Sequence, residues 1–129
     1  MNAIDPAESC IHLDGEETVT YDKLVIATGA EALIPAIPGL NEAENVFTIR
    51  KKNDAEAIKS ALQTGAAQVV VIGGGFIGLE AAAALKKLGI EVTVLEREER
   101  LLARVTGQAT ADFFEDLHTS YGVKTLTWG

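Results

Sequence analysis

Four consecutive β-branched residues, Val69-Val70-Val71-Ile72, run directly into three glycines. An apolar run without alternation predicts a parallel strand buried on both faces. Behind the glycines, Ile77, Ala81, Ala84, Leu85 and Leu88 recur at three- and four-residue steps, which predicts a helix with that apolar face, and Gly89 is placed to end it. Val92-Thr93-Val94-Leu95 reads as a second strand, closed by Glu96. Further along, Phe113, Leu117 and Tyr121 at four-residue steps predict a helix over residues 109–121, stopped by Gly122, with a strand over 123–126.

The first half of the chain reads as β structure followed by a linker. Residues 10–13 and 18–21 flank an Asp14-Gly15 turn signal and predict a hairpin. Leu24-Val25-Ile26-Ala27 resembles a buried strand running into Thr28-Gly29. Pro35, Pro38 and Gly39 then exclude regular helix or central strand, which marks a crossover between two domains. Asn53-Asp54-Ala55-Glu56 predicts a helix start, with Asn53 as cap and Glu56 completing a capping box. Ala57, Ile58, Ala61 and Leu62 form its apolar face, expected against a sheet, and Gly65 ends it. The expected division is therefore 1–30, a linker over 31–43, and a second domain over 44–129.

Gly73-Gly74-Gly75-Phe76-Ile77-Gly78 fits G-x-G-x-x-G, and its context raises it above a lone motif. It follows a strand and opens a helix, and Glu96 lies eighteen positions beyond Gly78. Each residue type has a physical role in binding a dinucleotide: Gly73 for the tight turn, Gly75 for close approach of a pyrophosphate, Gly78 for close helix–strand packing. The helix N-terminus supplies N–H donors and a positive dipole end for the phosphates. Glu96 stands where a carboxylate accepts from ribose hydroxyls, and at ~4 Å it would repel a 2′-phosphate by about 1–4 kcal/mol. That favours NAD over NADP, and adjacent Arg97 softens the preference. The alternative is a tight βα turn of another doubly wound fold, such as a methyltransferase or a flavodoxin-like domain. The fold class is α/β: a Rossmann-like βαβ dinucleotide-binding domain, incomplete in its strands, preceded by a hairpin and strand.

Composition narrows the function classes. The 129 residues carry a formal charge of −8 and a pI near 4.7, which argues against a nucleic-acid partner. No apolar run approaches the ~20 residues of a membrane span, no signal-peptide core is present, and a cytoplasmic location is the expectation. Cys10 is the single cysteine, so an internal disulfide or a C-x-x-C pair is excluded; it is expected to be a strand residue. His12 and His118 have no carboxylates or cysteines at ligand spacing and are read as structural or surface residues. Arg97-Glu98-Glu99-Arg100 is expected to be a solvated turn rather than a charge site. No metal site and no catalytic side chain are assigned.

The order of these pieces resembles the FAD- and NAD(P)-dependent pyridine nucleotide-disulfide oxidoreductase superfamily, within it the ferredoxin, rubredoxin and putidaredoxin reductase branch. The likeness rests on the TYDKLVIATG run at residues 20–29, the Ile37-Pro38-Gly39 turn, the glycine motif continuing to Leu79-Glu80, and Arg100-Leu101-Leu102-Ala103-Arg104-Val105 followed by His118 and Gly122-Val123. The resemblance implies that Ala27, Thr28 and Gly29 approach FAD, that residues 1–30 are the tail of an FAD domain, and that 44–129 begin the NAD domain. It implies that Glu80 approaches the nicotinamide end. The implied activity passes hydride from NADH to FAD, and electrons on to a ferredoxin- or rubredoxin-like protein. Glu31-Ala32-Leu33 stands where relatives often have arginines. An upstream flavin G-x-G-x-x-G, a later Gly-Asp motif and an interface domain are expected of a whole member, so the chain is expected to be a fragment inactive alone. The alternative reading is a non-catalytic or vestigial nucleotide-binding module.

Overall fold

The computed structural model describes residues 2–128, which form two compact units divided between Glu31 and Ala32. The first unit is a three-stranded antiparallel meander: β1 (Ala3–Asp5), β2 (Cys10–His12) and β3 (Thr18–Thr20), in that order. The Asp5 carboxylate accepts from the N–H groups of Ala7 (2.9 Å) and Glu8 (3.1 Å), which turns the chain between β1 and β2. At the second corner the Leu13 N–H donates to Glu17 O at 2.8 Å around Asp14-Gly15, as the turn signal predicts. Cys10 is buried in β2, and His12 faces outward with Nδ1 3.2 Å from the Thr18 hydroxyl.

The strand expected over 24–27 does not form. Residues 23–37 are irregular, and Val25 is 84% exposed. A strand is held by hydrogen bonds to a neighbour, and no described strand pairs with this run, so its β-branched side chains have no sheet to enter.

The second unit is a βαβαβ arrangement preceded by a helix. α1 (Lys52–Gln63) leads to β4 (Gln68–Ile72), α2 (Phe76–Lys87), β5 (Glu91–Glu96), α3 (Gln108–Ser120) and β6 (Lys124–Thr127). The three strands are parallel in the order β4-β5-β6, with Val69 opposite Val92, Val71 opposite Val94, and Val94 opposite Thr125. Three helical or strand expectations are corrected in detail. α1 starts earlier than the Asn53–Glu56 reading: Lys51 is its N-cap, and the Asp54 carboxylate accepts from the N–H groups of Arg50 (2.7 Å) and Lys51 (2.9 Å). Asp54 is two residues nearer the helix start than Glu56, which puts its short side chain within reach of those donors. They hold its carboxyl below the usual range. β4 is buried on one face only. Val69 and Val71 pack on the core, whereas Val70 and Ile72 remain 58% and 48% exposed.

The third correction concerns helix phase. α2 buries Leu79, Ala82 and Leu85, while Ile77 and Leu88 of the expected face are exposed. α3 buries Ala111 and His118, with Phe114 half-buried, while Phe113 and Tyr121 of its expected face are exposed. The core joins the α2 residues to Val92, Val94, Leu101, Leu102 and Val123, and Leu62 of α1 packs at its margin.

His118 occupies the buried face of α3 because its polar ring atoms find partners. Nδ1 lies 2.8 Å from Phe114 O and Nε2 lies 3.1 Å from Leu79 O, joining α3 to α2. A carbonyl only accepts, so the neutral ring donates to one of these and the doubly protonated ring to both. Replacing His118 by Phe keeps an aromatic ring but removes the hydrogen bond that the imidazole donates to a carbonyl at this helix–helix contact. The expected loss is about 1–3 kcal/mol, read as a lower midpoint in urea-induced unfolding.

Candidate functional site

The site lies at the carboxyl ends of β4 and β5, where the glycine turn enters α2. Gly73 has φ +110°, a conformation that side-chain-bearing residues rarely adopt, and its N–H donates to Leu95 O at 2.8 Å, which prolongs the β4–β5 pairing by one bond. A Cβ at Gly78 would overlap the Gly73 carbonyl oxygen, so the first turn of α2 rests directly on the turn it leaves. A Cβ at Gly75, by contrast, would meet nothing within 4 Å. Gly75 is the N-cap of α2, without a side-chain cap, and the space beside it opens onto the helix N-terminus. This is the geometry that admits a phosphate to backbone N–H donors.

Glu96 closes the other side. Its Oε2 accepts from the Gly74 N–H at 2.7 Å and its Oε1 from the Glu98 N–H at 2.9 Å. A carboxylate offers about four acceptor directions, so two remain for hydroxyl donors such as those of a ribose. Gly74 is buried beneath this bridge, and a Cβ there would lie 2.5 Å from Leu101 Cδ2 and 3.2 Å from Glu96.

A loop unforeseen in the sequence completes the site. In residues 97–107 Leu101 and Leu102 are fully buried, and the Leu102 N–H donates to Gly74 O at 3.0 Å. Leu102 has φ +54°, a strained conformation for leucine. The Arg100 guanidinium stabilises the loop by donating to Ala103 O (3.2 Å) and Thr106 O (3.0 Å). The expected solvated turn over 97–100 also carries charge pairing: Glu98 Oε1 is 2.7 Å from Arg104 Nη2 and 3.4 Å from Arg97 Nη2. The Arg104 hydrogen bond, aided by Arg97, holds the Glu98 carboxyl below the usual glutamate range. The sequence hints at this loop through the paired leucines inside a charged segment, within the stretch 100–105 that shares in the family likeness.

The structure therefore brings together Gly73, Gly74, Gly75, Gly78, Glu96 and Arg97. Phe76 and Ile77 are exposed on the first turn of α2. Glu80 is also exposed and is the fifth residue of α2, beyond the first turn where a helix dipole acts most strongly. Ala27, Thr28 and Gly29 belong to the first unit, on the exposed irregular segment, with Gly29 at φ +78°. Among the described residues no group of three or more His, Cys, Asp or Glu could hold a metal ion. Nor is any described helix long and apolar enough to cross a membrane.

A parallel βαβ unit with a glycine turn on a helix N-terminus and an acid at the next strand end defines a dinucleotide-binding fold. A family model, pyridine nucleotide-disulphide oxidoreductase, matches residues 1–128, and the chain belongs to that family. Its relatives include the ferredoxin reductase subunit of 5,5′-dehydrodivanillate O-demethylase from Sphingobium sp., 42% identical over 95% of this chain and 29% of that protein. Rhodocoxin reductase of Rhodococcus erythropolis is 38% identical over 93% of this chain and 28% of its own length. Among solved structures, a ferredoxin reductase from Rhodopseudomonas palustris aligns with a TM-score of 0.85 at 32% identity, over 98% of this chain and 31% of that one. The chain thus spans under a third of the length of these relatives.

Two predictions test the geometry. Gly78→Ala forces a methyl group against backbone that cannot yield, and should lower stability by about 1–3 kcal/mol in chemical unfolding. Arg104→Met removes the first cause of the lowered Glu98 pKa, so the Glu98 carboxyl titration followed by NMR should move up toward the ordinary glutamate range. The folded pKa lies below the unfolded one. The stability this pair contributes is therefore present above the unfolded value and lost as pH falls through the folded value.

Proposed function

We propose that this chain carries the NAD(H)-binding site of a ferredoxin-reductase-like flavoprotein, in which NADH gives hydride to FAD and electrons pass on to a small redox protein. The observation that supports it most is the Glu96 bridge, which holds a carboxylate beside an open, uncapped helix N-terminus. On this reading the first-turn N–H groups of α2 bind the pyrophosphate, and Gly75 keeps the approach clear. Glu96 accepts from the adenine ribose hydroxyls and disfavours a 2′-phosphate, so NADH is preferred over NADPH.

Phe76, Ile77 and Glu80 flank the bound dinucleotide, with Glu80 toward the nicotinamide end. Ala27, Thr28 and Gly29 form part of the FAD site, and residues 1–30, 31–43 and 44–129 are the FAD-domain segment, the linker and the NAD domain. FAD supplies the conversion of a two-electron donor to single-electron transfer. The relatives' names, among them rhodocoxin and terpredoxin reductases and a putidaredoxin reductase joined to putidaredoxin, support an iron–sulfur protein as the acceptor here. The location proposed is the cytoplasm.

The test is thermal unfolding with and without nucleotide. At about a hundred times its dissociation constant NADH should stabilise the chain by roughly 2.7 kcal/mol, with a smaller effect from NADPH at equal concentration. In Glu96→Ala the NADH shift should fall, since ribose contacts and the hold on Gly74 are lost together. A transition unmoved by NADH would sink the reading.

A further inference from the structure

Glu96 is flanked by charge of both signs. Arg97 follows it directly, and Arg104 returns to the same place by the loop over 97–107. Each alone would suit a 2′-phosphate, because a guanidinium matches phosphate oxygens in geometry and sign. Yet both point to one oxygen of a third side chain. Arg104 donates to Glu98 Oε1 through Nε (3.2 Å) and Nη2 (2.7 Å), and Arg97 reaches the same atom at 3.4 Å. The backbone of Glu98 is itself fixed on Glu96, donating to its Oε1 at 2.9 Å. Arg104 is also close enough for the Glu96 charge to add to Glu98 in raising its pKa. Two carboxylates and two guanidinium groups thus share one strand end.

Resting on the proposed NAD(H) site, we infer that Glu98 is a second specificity-determining residue: it holds Arg97 and Arg104 on its own carboxylate and so withholds both from the 2′-phosphate of NADP(H). Glu96 repels that phosphate, and Glu98 removes the cations that would otherwise offset the repulsion. The two arginine side chains are 81% and 69% exposed, so no packing keeps them from turning to a new anion once Glu98 lets go. Neutralising Glu98 leaves two guanidinium groups against one carboxylate, and the local balance moves from neutral to positive, in favour of the doubly charged phosphate. Glu98 acts through the arginines and is a positioning residue. A purely structural role for these ion pairs would tighten the loop without distinguishing the two nucleotides, which differ only at the 2′ position.

The experiment measures dissociation constants of NADH and NADPH by calorimetry on the 129-residue chain, for wild type, E98Q, E98S and R97M/E98Q/R104M, with folding checked by circular dichroism. In wild type NADPH should bind more weakly than NADH. In E98Q the ratio of the NADPH to the NADH constant should fall by about tenfold, as expected for one released charge-assisted contact. E98S should show the same change if E98Q fails to fold. The fall should diminish as salt is raised and be absent in R97M/E98Q/R104M. An unchanged ratio in a folded Glu98 variant, with wild type still binding NADH, overturns the inference and leaves the NAD(H) site standing. A fall that persists in R97M/E98Q/R104M overturns it as well, because the arginines would not carry the effect. Wild type binding neither nucleotide overturns the site and the inference together.

Discussion

Glu96 ties the glycine turn, the loop that follows β5 and the end of β6 to one point. Its two carboxylate oxygens accept from Gly74 in the glycine turn and from Glu98 in the following loop, while its backbone carbonyl accepts from Trp128 after β6 at 3.0 Å. The turn cannot drift from the β5 end without breaking a charge-assisted bond in a half-buried setting, where such bonds are strong. Gly74 in turn accepts from Leu102, so the loop is held to the turn by its backbone as well as by the burial of Leu101 and Leu102. Rigidity at this point matters for binding. Donors and acceptors already in position spare a ligand the cost of ordering them.

The glycines divide between fold and access. Gly78 and Gly74 have neighbours so close that a side chain has no room, and Gly73 needs its left-handed backbone to turn the chain. Gly75 has neither constraint. A residue kept small where the fold leaves space is what a site needs when something else must come close.

The strand–glycine–helix–strand–acid order was legible because each part has a local cause: β-branched runs, a turn needing glycine, and an acid at fixed spacing. The helix faces were not. In α2 the alanine-rich sequence leaves several faces nearly equal in hydrophobicity, and packing kept Leu85 of the expected face but selected Leu79 and Ala82 over Ile77 and Leu88. In α3 a polar residue displaced aromatic ones, since both ring nitrogens of His118 lie within hydrogen-bond distance of backbone carbonyls to which the imidazole can donate, which no hydropathy pattern reveals. The run over 24–27 failed for the converse reason. Its composition favours a strand, but strand formation needs a neighbour, and that is a property of the sheet rather than of the segment.

Least legible was the loop over 97–107, which has no periodicity and looks like solvated charge. Its conformation depends on a left-handed leucine, a strained choice that persists because Leu101 and Leu102 bury themselves together and Arg100 gathers the loop's carbonyls. The charged residues that disguised the loop as surface also place two arginines and a glutamate beside Glu96. A segment chosen only for solubility would have no need to bring Arg104 back to Glu98 across six residues at 2.7 Å. Exposed ion pairs contribute little to stability. On the proposed NAD(H) reading, fixing which charges stand at the end of β5 alters a binding equilibrium directly, because a 2′-phosphate and a 2′-hydroxyl differ by two charges.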